Sequence, residues 1–195
     1  MNICVFQGTF NPIHKVHLKV AKFALDYFKF DKIIFIPAYI PPHKSINTAL
    51  AEHRYNMVKI AIAGCDKFYI SDIEYKREGK SYTYLTILEL KKQLGLQNKI
   101  NFLIGTDAFL KIYTWYETDK LKELLHFIVF PRCKEFNPNE FDKFKKVGYE
   151  FEFAPMDYID VSSTEIRDNI NNGISVADLG IPAVVEYIKE NRLYE

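Results

Sequence analysis

Residues 7 to 18 read QGTFNPIHKVHL, and in them His14 and His17 stand three apart, just beyond a glycine and a proline. Residues at that spacing share one face of a helix. Four chemistries are open to such a pair: metal ligation, acid and base catalysis, a phosphate clamp, or surface and capping polarity. A metal needs a third protein ligand, and no H-E-x-x-H sequence or suitably spaced carboxylate supplies one. The segment follows a strand-like run and leads into a helical pattern, which places backbone amides and a helix N-terminus where an anion can sit. Gly8, lacking a Cβ, would let a ligand approach the main chain. Neither G-x-G-x-x-G nor G-x-x-x-x-G-K-[ST] occurs in the chain, so it carries no dinucleotide or P-loop fingerprint.

A second constellation is Ser162-Ser163-Thr164-Glu165-Ile166-Arg167. Hydroxyls at a helix start are ordinary caps, and Ser162 with Glu165 fits a capping box. Arg167, one turn further in, is placed to reach back to a phosphate held by the same amides and hydroxyls. The loop Pro37-Ala38-Tyr39-Ile40-Pro41-Pro42-His43-Lys44 ends in a stiff double proline that presents a cation, equally readable as a solvated lysine. Ser81, Tyr82 and Thr83 open another helical pattern, as caps or as site residues. Asp107, past the run INFLIG, suits either a ribose hydroxyl or a helix cap. The pair Trp115-Tyr116 suits either core packing or stacking on a base or pyridine ring.

These residues need elements to hold them. NICVFQ and KIIFI are short runs rich in Ile, Val and Phe, and between them Val16, Val20, Phe23, Ala24 and Tyr27 recur at helical spacing. That is a βαβ unit. EHRYNMVKIAIAG then reads as a helix ended by Gly64, KFYISD as a strand, SYTYLTILELKKQLG as a helix from Ser81 to Gly95, and INFLIG as a strand. HFIVF and YEFEF extend the strand series, and SSTEIRDNINNG and IPAVVEYIKENRL close the chain as helices, the second with Pro182 in its first turn. Strands alternating with helices imply a doubly wound, mostly parallel α/β sheet, because parallel neighbours need crossovers. Such sheets bind ligands beyond the carboxyl ends of their strands, where the candidate residues fall.

The bulk composition narrows the function further. With 195 residues, 48% hydrophobic and 26% charged, the chain fits a single globular domain spanning 1–195. Lys and Arg number 26 against 25 Asp and Glu, so no global field draws nucleic acid or a membrane surface, and any anion site must be local. No run approaches the roughly 20 apolar residues of a membrane span, and no signal-peptide pattern opens the chain, so a cytoplasmic location is expected. Cys4, Cys65 and Cys133 are odd in number and widely spaced, which predicts reduced, mostly buried thiols and neither disulfides nor a zinc site.

Taken together, these segments resemble the nucleotidyltransferase superfamily, and within it the bacterial nicotinate-mononucleotide adenylyltransferases. GTFNPIHKVHL is similar to the superfamily's H-x-x-H loop and VSSTEIR to its C-terminal S-S-T-x-I-R element. PPHK, HRYNMVKIAI, SDIEYKREGKSYTYLTI, IGTDAFLKIYTWYE and VVEYIKENRLY are similar to the nicotinate-mononucleotide branch. The resemblance implies a Rossmann-like fold with C-terminal helices. It implies ATP held by Gly8, Thr9, Phe10, His14 and His17, with Ser163, Thr164 and Arg167 over the phosphates and Gly105 and Asp107 along the adenosine. Arg132 is a further ATP candidate. Lys44, Ser81, Tyr82, Thr83, Trp115 and Tyr116 would line the mononucleotide pocket, and His14, His17 and Arg167 would carry catalysis. The chain departs from the family pattern at Gln7, where a glycine is usual, at Asn11 for aspartate, at Val16 for glycine and at Cys133 for proline.

The implied reaction is transfer of AMP from ATP to nicotinate mononucleotide, giving nicotinate adenine dinucleotide and pyrophosphate in NAD biosynthesis. The acceptor phosphate is already ionised, so positioning and charge neutralisation suffice, with no protein nucleophile. Mg²⁺ held mainly by phosphates and water would fit. Small-molecule substrates, no nucleic acid and no membrane are expected, with homo-oligomerisation left open. The alternatives are preference for nicotinamide mononucleotide and a non-catalytic nucleotide sensor of the same fold.

Overall fold

A computed structural model describes residues 2–42 and 50–195. Six strands, β1 (Ile3–Gly8), β2 (Lys32–Pro37), β3 (Phe68–Ile70), β4 (Ile100–Gly105), β5 (Leu125–Phe130) and β6 (Phe151–Phe153), form one sheet in the order β3-β2-β1-β4-β5-β6. Every pairing is parallel. The order runs outward in both directions from the β1–β4 boundary, and that switch point opens a crevice at the carboxyl ends of the strands.

Alternation of side chains along each strand explains why the strands read as unbroken apolar runs. Cys4, Phe6, Ile33, Phe35, Leu103 and Ile128 face one core. Helices α1 (Lys15–Tyr27), α2 (Ala51–Ile62) and α8 (Pro182–Glu190) cover it, through Val20, Met57 and Val184 among others. Ile3, Val5, Ile34, Ile36, Phe102 and Phe127 face the opposite core. There α3 (Thr83–Leu94), α4 (Thr106–Phe109), α5 (Thr118–Leu124) and α6 (Asp142–Lys146) supply Ile87, Phe109, Leu121 and Phe144. A sheet covered on both faces needs apolar residues at odd and even positions alike. The remaining helix, α7 (Ser163–Asn171), buries only Ile166 and projects toward the crevice end.

Several local expectations change. The α1 face buries Val16, Val20, Ala21, Ala24 and Leu25, while Tyr27, the last residue of the helix, lies 57% exposed. Helix α2 ends at Ile62 with Ala63 as cap, before Gly64. Ser81 does not cap α3, whose N-cap is Tyr82 with no side-chain bond; Gly95, in the left-handed region at φ 65°, does end it. The strands expected from KFYISD and YEFEF shorten to three residues each at the two sheet edges. Of the three thiols, all free, only Cys4 is buried; Cys65 is intermediate and Cys133 exposed. The "mostly buried" expectation fails because β1 is central while the other two cysteines sit in connections.

Candidate active site

The loop after β1 turns sharply at Phe10, which sits in the left-handed region at φ 48°. A bulky side chain there costs roughly 1–2 kcal/mol per residue. The turn folds the Phe10 ring back over Gly8, where a Cβ would meet ring atoms at 3.0–3.2 Å. A side chain at Gly8 would press on the Phe10 ring, which would have to give by a few tenths of an ångström. The same ring packs edge-on against Phe6 and His17, with centroids 5.4 and 5.1 Å apart.

His14 is the N-cap of α1 and His17 its third helical residue. The His14 N–H donates to His17 Nδ1 at 3.2 Å, and the His17 N–H donates to the His14 carbonyl at 3.0 Å. With Nδ1 accepting, the proton of a neutral His17 ring lies on Nε2, an assignment made from the hydrogen bond. The two rings lie 3.8 Å apart. His14 is 1% exposed, and its Nδ1 has no partner among the described residues. Burial first, and then the positive charge of Arg132, push its pKa down to about 4, so the ring is neutral near pH 7. Val16 is buried in the core beneath α1 and stays clear of the ligand face, which answers what its side chain does there.

The N-terminus of α7 is bonded to this loop. Ser162 caps α7 by accepting from the Glu165 N–H at 3.1 Å, the ordinary capping contact. Ser163 Oγ donates to the Pro12 carbonyl at 2.9 Å, and Arg167 Nη1 donates to the Asn11 carbonyl at 2.8 Å. Arg167 Nη2 reaches Thr164 Oγ1 at 3.3 Å. Tyr194, beyond α8, donates its hydroxyl to Asn11 Oδ1 at 2.7 Å. Asn11 thus anchors the loop from two sides, with its carbonyl to Arg167 and its side chain to Tyr194.

A cleft of about 480 Å³ lies over the β1–β4 boundary. One wall contains Gly8, Thr9, Phe10 and His17, with Gly105, Asp107 and Arg132 beyond β4 and β5. Gly105 is needed there: a Cβ would come within 2.5 Å of Arg132 Cγ and 2.6 Å of Asp107 Oδ1. Arg132 Nε stands 3.9 Å from Asp107 Oδ1, and its backbone N–H donates to Thr106 Oγ1 at 3.0 Å. Asp107 Oδ1 also accepts from the Ala108 N–H at 2.9 Å, a local cap of α4. The opposite wall contains Ser81, Tyr82, Thr83, Trp115 and Tyr116. Tyr82 and Tyr116 lie with centroids 4.6 Å apart, and Trp115 packs edge-on against Phe102 at 6.2 Å.

Twelve of the expected residues therefore share one cleft. His14 lies buried beside it, Ser163, Thr164 and Arg167 flank the loop from outside the lining, and Lys44 falls outside the described residues. Two residues without an assigned role from sequence are buried under the floor: Arg54 on α2, 0% exposed, and Glu74 after β3, 1% exposed. A charged residue inside an otherwise helical apolar face is the signal that marks Arg54. Among the described residues no group of three or more His, Cys, Asp or Glu forms a metal cage, and no helix is long and apolar enough to cross a membrane.

Residues 5–169 match the family model described as cytidylyltransferase-like. A protein of Clostridium tetani named "Probable nicotinate-nucleotide adenylyltransferase" is 41% identical over 195 residues, covering 97% of each chain. One of the same name from Hydrogenobaculum is 38% identical, covering 100% of this chain and 98% of its own. The solved structure of Plasmodium falciparum nicotinic acid mononucleotide adenylyltransferase complexed with NaAD superposes with a TM-score of 0.81 at 24% identity, covering 99% of this chain and 97% of that one. That likeness shows a common fold.

Proposed function

Because the chain belongs to the cytidylyltransferase-like family and to its nicotinate-nucleotide adenylyltransferase branch, we propose that it transfers AMP from ATP to nicotinate mononucleotide, yielding nicotinate adenine dinucleotide and pyrophosphate. This is a step of NAD biosynthesis, carried by one domain spanning residues 1–195 in the cytoplasm. The observation that supports it most is the pairing, across one cleft, of a wall of phosphate-binding character with a wall of aromatic rings and hydroxyls.

The acceptor's 5′-phosphate oxygen attacks the α-phosphorus of ATP. The new P–O bond forms as the bond to the pyrophosphate oxygen breaks, and the leaving group departs in line with no covalent enzyme intermediate. The nucleophile is ionised already, so the protein's contribution is alignment and stabilisation of charge on the departing pyrophosphate. His17 presents an Nε2 proton from a ring fixed by the His14 main chain. Neutral His14, buried beside the cleft with no partner for its Nδ1 among the described residues, supports the loop from behind His17. Ser163 and Arg167 hold the loop, Thr164 accepts from Arg167, and together they bring a helix N-terminus and a guanidinium beside it. Gly105, Asp107 and Arg132 face the adenosine side, and Tyr82, Thr83, Trp115 and Tyr116 receive the mononucleotide with Ser81 and Lys44.

Among the described cleft-lining residues Asp107 is the single carboxylate, and Arg132 stands near it. A magnesium ion would be carried mainly by the ATP phosphates and water, with the Asp107 carboxylate the side-chain oxygen that could join them, while Arg132 would pair with phosphate and not with the ion. When bound, the ion would neutralise phosphate charge.

Incubation with ATP, Mg²⁺ and either mononucleotide, with the dinucleotide identified by mass, tests this. Deamido dinucleotide with stoichiometric pyrophosphate is expected. A product formed only from nicotinamide mononucleotide would overturn the acceptor, and nucleotide binding without pyrophosphate release would make the protein a sensor.

A further inference from the structure

Arg54 and Glu74 are the two charged side chains buried under the cleft, and their bonds converge on one peptide segment. Arg54 Nη1 donates to the Thr9 carbonyl at 3.1 Å and to the Ala38 carbonyl, and Nη2 donates to the Tyr39 carbonyl at 3.0 Å. Its Nε has no partner among the described residues. Glu74 Oε2 accepts from the Tyr39 N–H at 3.3 Å, while Oε1 accepts from Thr86 Oγ1 at 2.7 Å and from Gln7 Nε2. The two charges thus hold opposite ends of Tyr39, the guanidinium its carbonyl and the carboxyl its N–H. Ser81 joins in: its Oγ accepts from the Ile40 N–H at 3.0 Å and its own N–H donates to the Ile40 carbonyl at 2.9 Å.

This network links the two walls. Thr9 and Gln7 belong to the phosphate-side loop and strand end; Ser81 and Thr86 belong to the start of α3, on the mononucleotide side. Residues 38–40 lie between them. Stability does not account for such an arrangement, since a buried cation bonded only to carbonyls is often outperformed by an apolar side chain of equal volume. Alignment does, because a reacting centre displaced by about 1 Å loses on the order of 100-fold in rate. Gln7, where the family pattern has glycine, extends the same network from β1, which gives that departure a use.

We propose that Arg54 and Glu74 are positioning residues for the transfer, setting the spacing between the phosphate-side loop and the mononucleotide wall through the Tyr39 peptide. The proposal rests on the adenylyl-transfer reading above. The unmutated protein is therefore assayed first: absence of dinucleotide product sinks that reading whatever the variants do.

Given product, Arg54→Met, Glu74→Gln and the double variant are compared in melting temperature, in Kd for each substrate alone (a non-hydrolysable ATP analogue, and nicotinate mononucleotide), and in kcat. Each single variant is expected to bind each substrate within about 3-fold of the parent while kcat falls about 30-fold or more for Arg54→Met and about 10-fold for Glu74→Gln. The double variant should fall little below Arg54→Met, because both residues act on one peptide. Arg54→Lys, which keeps charge but not the fork, should recover only part of the rate. The proposal is overturned if kcat stays within about 3-fold of the parent, if substrate binding falls in step with kcat, or if the two losses multiply. Should Arg54→Met fail to fold, the split between binding and turnover in Glu74→Gln decides alone.

Discussion

Between Gly8 and His17 the Asn11, Pro12 and His17 groups are engaged with other parts of the chain, while His14 Nδ1 has no partner among the described residues. His14 bonds His17, Arg167 and Ser163 hold the carbonyls of Asn11 and Pro12, and Tyr194 holds the Asn11 side chain. At the facing wall, Tyr116 is 45% exposed and meets Tyr82 through ring contact. Neighbouring Tyr113 is 66% exposed. One wall is cross-braced by hydrogen bonds along its loop; the other, bonded at Ser81, offers at Tyr82, Trp115 and Tyr116 an aromatic surface held by packing. Electrostatic stabilisation of a departing pyrophosphate requires donors whose orientation is fixed in advance. Recognition of a flat pyridine ring requires area, which a less constrained pair of rings supplies. Damage to the first wall should therefore appear in turnover, and damage to the second in acceptor affinity.

The sharpest way to break that contrast is His17→Ala. It is expected to fold, with kcat lowered on the order of 100-fold; steady-state turnover equal to the parent would remove the phosphate-side assignment. A second test is pH. His14 carries a pKa of about 4 in the folded chain, below the ordinary 6.5, because it is buried. Unfolding lets it bind a proton, so its contribution is complete above about pH 6.5, declines as the pH falls, and is gone near pH 4, on the order of 3 kcal/mol in all. Thermal melts between pH 7.5 and 4.5 should show this slope, and His14→Gln should flatten it. An unchanged slope in that variant would mean that other groups set the acid limit.

On the aromatic wall, Trp115→Ala is expected to raise the KM for nicotinate mononucleotide about 10-fold while leaving that for ATP near the parent value. Equal effects on both substrates would erase the distinction between the walls. The smallest effect is expected from Tyr194→Phe, which deletes one hydrogen bond to Asn11, worth about 1 kcal/mol. The KM for ATP should rise several-fold with no change for the acceptor, and a change in the acceptor's KM instead would show that the brace serves the other wall.

The contrast also marks what the sequence made legible. QGTFNPIHKVHL could be placed at the strand ends from sequence because its pattern is local: a glycine, a turn and two imidazoles one helical step apart follow the first strand of a βαβ unit. The central strands were equally plain, since burial on both faces leaves continuous apolar runs. The edge strands were overestimated, because apolar character persists past the few residues that find a pairing partner. Helices α4, α5 and α6, of four to seven residues, are too short for periodicity to register. Arg54 escaped because its partners are the main-chain carbonyls of Thr9, Ala38 and Tyr39, which leave no residue type to recognise, and Glu74 because Gln7, Tyr39 and Thr86 come together around it only in the fold. Ser163 read as a cap or a phosphate-binding group and Arg167 as a phosphate-binding group, although in the fold they already hold the Pro12 and Asn11 carbonyls.

The contacts at Asn11 and Pro12 also set an order of events during synthesis. Their partners lie 151, 156 and 183 residues downstream. The six-stranded sheet can be complete while α7 and the segment beyond α8 are still within the ribosome. A nascent chain at that stage has its strands and both histidines, with Arg54 on the Thr9 carbonyl, yet lacks the α8 side chains that close one core and the bonds that hold Asn11 and Pro12. Competence for tight nucleotide binding is thus expected to arrive late in translation, and stalled or truncated chains that fold should be present in the cell without competing for its ATP.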